Sequence, residues 1–160
     1  MNSPRQSATL LLAEDLEDDV FIMRRALKSA GILNPLAVVP DGKELLAYLR
    51  GVGQYEDRKV FPLPFLLFLD LKMPYYDGFE CLEAISQDPS LKNLPVVVLT
   101  SSAQEKDQKR AYKLGARTYL VKPPLPRDLL GVAASLDSYF LASYGYSPFL
   151  LSKSQPARGR

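Results

Sequence analysis

The sequence predicts an α/β protein built on a parallel sheet wrapped by helices on both faces. Three observations carry that reading. Phe65-Leu66-Leu67-Phe68-Leu69 sets five large apolar residues in a row without polar alternation, the pattern of a strand buried on both faces, and the run ends on Asp70. Strand-like and helix-like segments alternate five times along the chain, as crossover connections between parallel strands require. The residues able to do chemistry gather where the strands end: Glu14-Asp15, Asp70, Thr100 and Lys122. In open α/β sheets that carboxyl edge is where ligands bind.

Composition removes several classes of function. The chain has 160 residues, 47% hydrophobic and 24% charged, which suits one globular domain with a full core. A net charge of +2 gives no argument for nucleic acid or membrane as partner. With no histidine, Ser-His and Cys-His catalysis and the usual zinc sites are excluded. Cys81 is the only cysteine, so there is no disulfide framework. No apolar run reaches membrane-spanning length and no signal peptide is evident, so the expected location is the cytoplasm.

Taken in order, residues 1–8 are small and polar and read as a disordered lead-in. Thr9 to Ala13 is the first buried strand. It runs into Glu14-Asp15-Leu16-Glu17-Asp18-Asp19, five acids in six positions, and then Val20, Met23, Leu27 and Ala30 follow at helical spacing up to Gly31. Carboxylates favour a helix N-terminus, which accounts for Glu17, Asp18 and Asp19 but not for Glu14 and Asp15 before the helix starts. Leu36 to Val39 is the next strand. Asp41 is placed to cap a helix carrying Leu45, Leu46 and Leu49, closed by Gly51. The stretch from Gly51 to Pro64 reads as a surface loop.

After the Asp70 strand, Asp77 caps a helix with Phe79, Leu82 and Ile85 inward, and Tyr75 and Tyr76 read as loop surface. Pro95 to Leu99 forms the fourth strand. Ser102-Ala103-Gln104-Glu105 fits a capping box for a mostly charged, weakly held helix with Ala103, Ala111 and Leu114 inward. Thr118 to Val121 is the fifth strand. Pro126 opens a last helix whose Leu129, Leu130, Ala133, Leu136 and Phe140 face the core. The organisation expected is a domain over 9–143 and an extension over 144–160, aromatic first and basic last at Lys153, Arg158 and Arg160.

Three carboxylates meeting at one sheet edge are costly, since two unit charges about 4 Å apart repel by roughly 4 kcal/mol at an effective dielectric of 20. Such a cluster holds a proton or a cation. Oxygen ligands alone suit Mg²⁺, which keeps several waters and accepts a phosphoryl oxygen. With the Thr100 hydroxyl and the Lys122 ammonium, the set describes a phosphoryl pocket.

These residues resemble the receiver domain of two-component response regulators. The likeness covers about Leu10 to Phe140. It rests on Glu14-Asp15, Asp70 with Met73-Pro74 and Asp77-Gly78, Thr100, and Tyr119 with Lys122-Pro123. The resemblance implies a flavodoxin-like sheet in the order 2-1-3-4-5, with Asp70 as phosphoacceptor. It implies Mg²⁺ held directly by Asp15 and Asp70, through water by Glu14, and by the backbone carbonyl of Lys72. Thr100 and Lys122 would contact the phosphoryl group, Tyr119 would be the switch partner of Thr100, and the Lys122-Pro123 bond would be cis. The implied role is a phosphoacceptor signalling protein, not an enzyme beyond phosphotransfer and self-dephosphorylation.

The long Gly51–Pro64 loop, and Lys72 two residues after the acceptor, depart from the minimal pattern. The loop and the aromatic C-terminus look most like single-domain regulators paired with phytochrome-type histidine kinases, which makes such a kinase the expected partner. With about 20 residues after the last helix, no output domain is expected and the signal must leave by protein contact. An apolar tail beside the 102–143 face suggests a homodimer there, against the alternative that the tail folds back on its own domain. A flavin-binding relative of the fold is disfavoured, because acids after the first strand would repel the phosphate. The remaining alternative is a receiver-shaped interaction module that turns over no phosphate.

Overall fold

The computed structural model describes residues 8–152. Most of the lead-in, and Lys153, Arg158 and Arg160 of the tail, lie outside the described residues. Five strands, β1 (Leu10–Ala13), β2 (Leu36–Val39), β3 (Leu66–Leu69), β4 (Val96–Thr100) and β5 (Thr118–Val121), alternate with five α-helices. The helices are α1 (Glu17–Ser29), α2 (Gly42–Arg50), α3 (Gly78–Gln87), α4 (Glu105–Lys113) and α5 (Pro126–Tyr144). All strand pairs are parallel and the order is β2-β1-β3-β4-β5. Leu12 of β1 stands opposite both Val38 of β2 and Phe68 of β3, so β1 and β3 are central and their ends lie side by side.

Because successive residues of a strand point to opposite faces, the sheet builds two cores. Leu11, Ala13, Leu67, Leu69, Val96 and Val98 pack with Leu45 of α2, Phe79 and Leu82 of α3 and Ala111 of α4. Leu10, Leu12, Leu66, Phe68, Val97 and Leu99 pack with Met23 and Leu27 of α1 and Leu129, Leu136 and Phe140 of α5. Every residue of β1, β3 and β4 is buried, which is why those strands carry no polar alternation.

The caps explain where the helices start. Asp41 accepts from the Glu44 N–H at 2.8 Å. Asp77 and Glu80 form a reciprocal capping box at 2.9 and 3.0 Å. The box expected at Ser102 is not made: the chain stays extended through Gln104, α4 starts at Glu105, and Ala103 is exposed. Ala111 is the one fully buried residue of that helix. Leu130 is also corrected, being 38% exposed, because α5 turns Leu129, Val132, Ala133, Leu136 and Phe140 toward the sheet.

Gly51 to Pro64 is more than a surface loop. A 3₁₀ turn at Gly53–Tyr55 buries Tyr55 against Tyr48 and Phe61, with ring centroids 5.1 and 5.0 Å away. Arg58 donates to the carbonyls of Tyr48, Leu49 and Phe61 at 2.8, 2.9 and 3.1 Å, and so closes the C-terminus of α2.

The extension folds back. Phe149 meets Phe65 edge-on at 5.0 Å, and an antiparallel bridge pairs Leu151 with Ile32. Leu33 N–H donates to Leu150 O and Ser152 N–H to Gly31 O, both at 2.7 Å. Tyr75 and Tyr76 are exposed as expected, and Tyr75 takes a positive φ of 69°. The Lys122-Pro123 bond is cis.

Cys81 is fully buried in α3, and burial, followed by the charges of Asp77 and Glu80, pushes its thiol up to about 12. The thiolate is the reacting form. At pH 8 the folded protein is therefore expected to resist a thiol-disulfide reagent that labels it fully in denaturant. Equal labelling rates in the two conditions would contradict the burial.

Candidate functional site

The site is assembled at the carboxyl edge of the sheet by the ends of β1, β3, β4 and β5. β1 ends into Glu14 and Asp15, and β3 ends into Asp70, whose N–H donates to Ala13 O at 3.2 Å. Glu14 N–H is tied to Val39 O at 3.0 Å, so the first carboxylate is held by β2 as well. Carboxylate oxygens of Glu14, Asp15 and Asp70 all lie within 4.8 Å of one another. Glu14 and Asp70 are buried and Asp15 is exposed.

Lys122, just past the end of β5, sends its ammonium into this cluster. Nζ lies 2.5 Å from Glu14 Oε1, 2.8 Å from Asp19 Oδ2 and 3.2 Å from Asp70 Oδ2. Burial works against the charge of Lys122, but its hydrogen bonds to Asp19 and Glu14 outweigh it and raise its pKa above the ordinary lysine value. Burial and the charge of Asp70 push Glu14 up to about 7, although the Lys122 hydrogen bond pulls the other way. The cluster thus holds an excess of negative charge in a half-closed setting. Hard oxygen donors at this spacing fit a divalent cation such as Mg²⁺ or Mn²⁺.

Sequence accounts for Asp19 only as a carboxylate suited to a helix N-terminus. It lies in the first turn of α1, and that turn carries it over the end of the sheet and onto Lys122. The signal available in sequence was the density of acids from Glu14 to Asp19, which one helix dipole does not need.

Thr100 is fully buried at the end of β4, and its hydroxyl accepts from the Ser102 N–H at 3.4 Å. Lys72 N–H donates to Asp70 Oδ1 at 3.3 Å, which turns the β3–α3 loop back over the carboxylate. Gly78 permits this: a Cβ there would stand 2.5 Å from Asp70 O. Tyr119 on β5 is half-buried and donates its hydroxyl to Ser102 O at 2.8 Å. Burial pushes its phenol up. Asp15, Lys72, Thr100 and Ser102 line one open groove of about 570 Å³ that runs between α3 and α4 to Asp107 and Arg110. Arg110 lies over the Phe79 ring at 4.1 Å.

Among the described residues no helix is long and apolar enough to cross a membrane. Residues 10–134 match the family model described as the response regulator receiver domain. Over 132 residues the chain is 38% identical to response regulator Rcp1 of Synechocystis sp., covering 82% of this chain and 88% of that protein. It is also similar to the crystal structure of Mn²⁺-bound Rcp1, with a TM-score of 0.67, 36% identity and coverage of 86% and 97% of the two chains. A third likeness is to the phosphorylated cyanobacterial phytochrome response regulator RcpA, with a TM-score of 0.69, 33% identity and coverage of 86% and 96%. The sheet order, the acidic edge with its lysine, and these matches along most of the chain place it in the response regulator receiver domain family.

Proposed function

We propose that this chain is a phosphoacceptor of a two-component system. A histidine kinase, of phytochrome type on the strength of the similar regulators, is its donor in the cytoplasm. The carrying observation is the trio Glu14, Asp15 and Asp70 at the ends of β1 and β3, with Lys122 bridging Glu14 and Asp70. In the transfer, an Asp70 carboxylate oxygen attacks phosphorus while the bond to the donor imidazole nitrogen breaks. The electron pair stays on the leaving imidazole. The acyl phosphate formed on Asp70 is later cleaved by water.

The chain's own residues divide the work. Asp15 and Asp70 would hold Mg²⁺ directly, Glu14 through water, and the Lys72 carbonyl would complete the protein's share; a bound metal would supply charge neutralisation for the incoming phosphoryl oxygens. Lys122, already 3.2 Å from Asp70, pairs with the phosphoryl charge, and the Thr100 hydroxyl donates to it. Tyr119 follows Thr100 as the switch partner. Lys72 carries its cation at the groove mouth, where it shields the acyl phosphate from water. The role is that of a signalling protein and no further catalysis is assigned.

Metal affinity should separate the acids. Glu14→Gln should weaken Mg²⁺ by roughly 10- to 100-fold, the usual effect of altering an outer-shell partner. Asp15→Asn should cost more, because it removes a direct ligand. Titration of Mg²⁺ into each variant reads this directly, and a larger loss at Glu14 would reverse the two roles. A wild-type chain that binds no Mg²⁺ would instead favour the interaction module.

The signal leaves through a surface, and the α4–β5–α5 face exposes Tyr112, Val121, Leu125, Leu130, Leu141 and Tyr144. We assign to it a two-fold homodimer, without the extension, whose Leu150 and Leu151 lie against the α1–β2 connection. Sedimentation of wild type beside Leu141→Glu tests this; monomers in both samples end the assignment.

A further inference from the structure

Ser102 is joined to three parts of the site at once. Its N–H donates to the Thr100 hydroxyl at 3.4 Å, and its carbonyl accepts from the Tyr119 hydroxyl at 2.8 Å. Its own hydroxyl donates to Asp107 Oδ2 at 2.6 Å and accepts from the Gln104 N–H at 3.3 Å. Asp107 belongs to the first turn of α4, so this one side chain ties the helix to the end of β4.

Little else fixes that end of the helix. Gln104 at the N-cap provides no side-chain bond, and α4 buries only Ala111 completely. The middle of the helix rests on α3 through Arg110 over Phe79. Glu105 and Lys109 pair only with each other, both exposed. The start of α4 is thus an element of low local stability with one strong tether, the kind of segment that a small change can shift.

We propose that the Ser102–Asp107 hydrogen bond is the positioning contact that delivers a change at Thr100 to α4. The proposal rests on the phosphoacceptor reading for its trigger, although the tether itself does not need phosphate. When the Thr100 hydroxyl turns to a phosphoryl oxygen, the Ser102 N–H loses its acceptor and the 100–104 segment is free to move. Ser102 carries Asp107 with it, and α4 follows. Ser102 and Asp107 are positioning residues, since neither needs to touch the phosphoryl group.

Amide hydrogen exchange on the full chain tests this in two arms. Without phosphate, Ser102→Ala and Asp107→Ala should each speed exchange at residues 107–110 by about tenfold, the equivalent of one hydrogen bond. Ser102→Thr keeps the hydroxyl and should exchange as wild type. With acetyl phosphate and Mg²⁺, Ser102→Ala should label at Asp70 to the wild-type extent, yet its α4 should respond less than wild-type α4. Exchange in α4 that is unchanged by Ser102→Ala overturns the proposal. Faster exchange spread evenly over the domain overturns it as well, because the bond would then serve general stability. Failure of the phosphoacceptor reading looks different: neither wild type nor Ser102→Ala takes label, while the first arm still reports on the tether.

Discussion

Asp70→Asn is expected to take up no labile phosphoryl group under conditions where the wild type takes one. The structure offers three carboxylates within 4.8 Å, so the prediction selects among them. Glu14 is buried, carries its hydrogen bonds to Leu16 N–H and Lys122, and is pushed up to about 7 by burial. A carboxyl so placed is a poorer nucleophile near neutral pH than an ionised one. Asp15 is exposed and lies outside the ion pairs that Lys122 makes with Glu14, Asp19 and Asp70. Asp70 combines the end of the central strand β3, an ion pair to Lys122 and a hydrogen bond from the Lys72 N–H, beside the groove that Asp15, Lys72 and Thr100 line. Asparagine keeps its shape and the Lys72 N–H contact while removing the nucleophilic oxygen. Intact-mass measurement after incubation with acetyl phosphate and Mg²⁺ decides it. Label on the variant equal to the wild type would move the acceptor to a neighbour.

The frame of the fold was legible because burial on both faces leaves a plain mark. A strand such as Leu66–Leu69 cannot alternate when helices cover both sides, so its position and its end at Asp70 follow from composition alone. The acids at Glu14 and Asp15 were legible for a related reason: they stand before the first helical residue, where no helix dipole explains them. Asp19 was obscured because a dull role was at hand, and only the three-dimensional path of the first turn of α1 brings it to Lys122. The spacing of Ser102 to Glu105 matches a capping box, but the extended 102–104 segment sends the hydroxyl to Asp107 instead. Loop packing was least visible. Tyr48, Tyr55 and Phe61 are separated by irregular chain without periodicity, and no pattern announces that they share one cluster.

The fold-back of the extension carries the second large expected effect. Asn34 is buried between α1 and β2, and its side chain joins the segments at both ends of the described residues. Nδ2 donates to Ala8 O and to Pro148 O, and Oδ1 accepts from Leu150 N–H, each at 2.8 Å. Phe149 then enters the cluster of Phe65 and Phe140 at 5.0 and 6.4 Å between centroids. Phe149→Ala should cost about 2–3 kcal/mol, at or just below the lower limit for core phenylalanines because the ring is half-buried. Asn34→Ala removes three bonds and strands buried carbonyls, at about 1 kcal/mol for each bond. For a domain of this size each kcal/mol lowers the unfolding midpoint by about 2–4 °C, so either change should be plain in a thermal melt. The two act on one strap, and the double variant should lose less than the sum of the single losses. Melts within error of the wild type for both single variants would mean that the strap lies on the domain without stabilising it, and a fully additive pair would mean that Asn34 and Phe149 act independently.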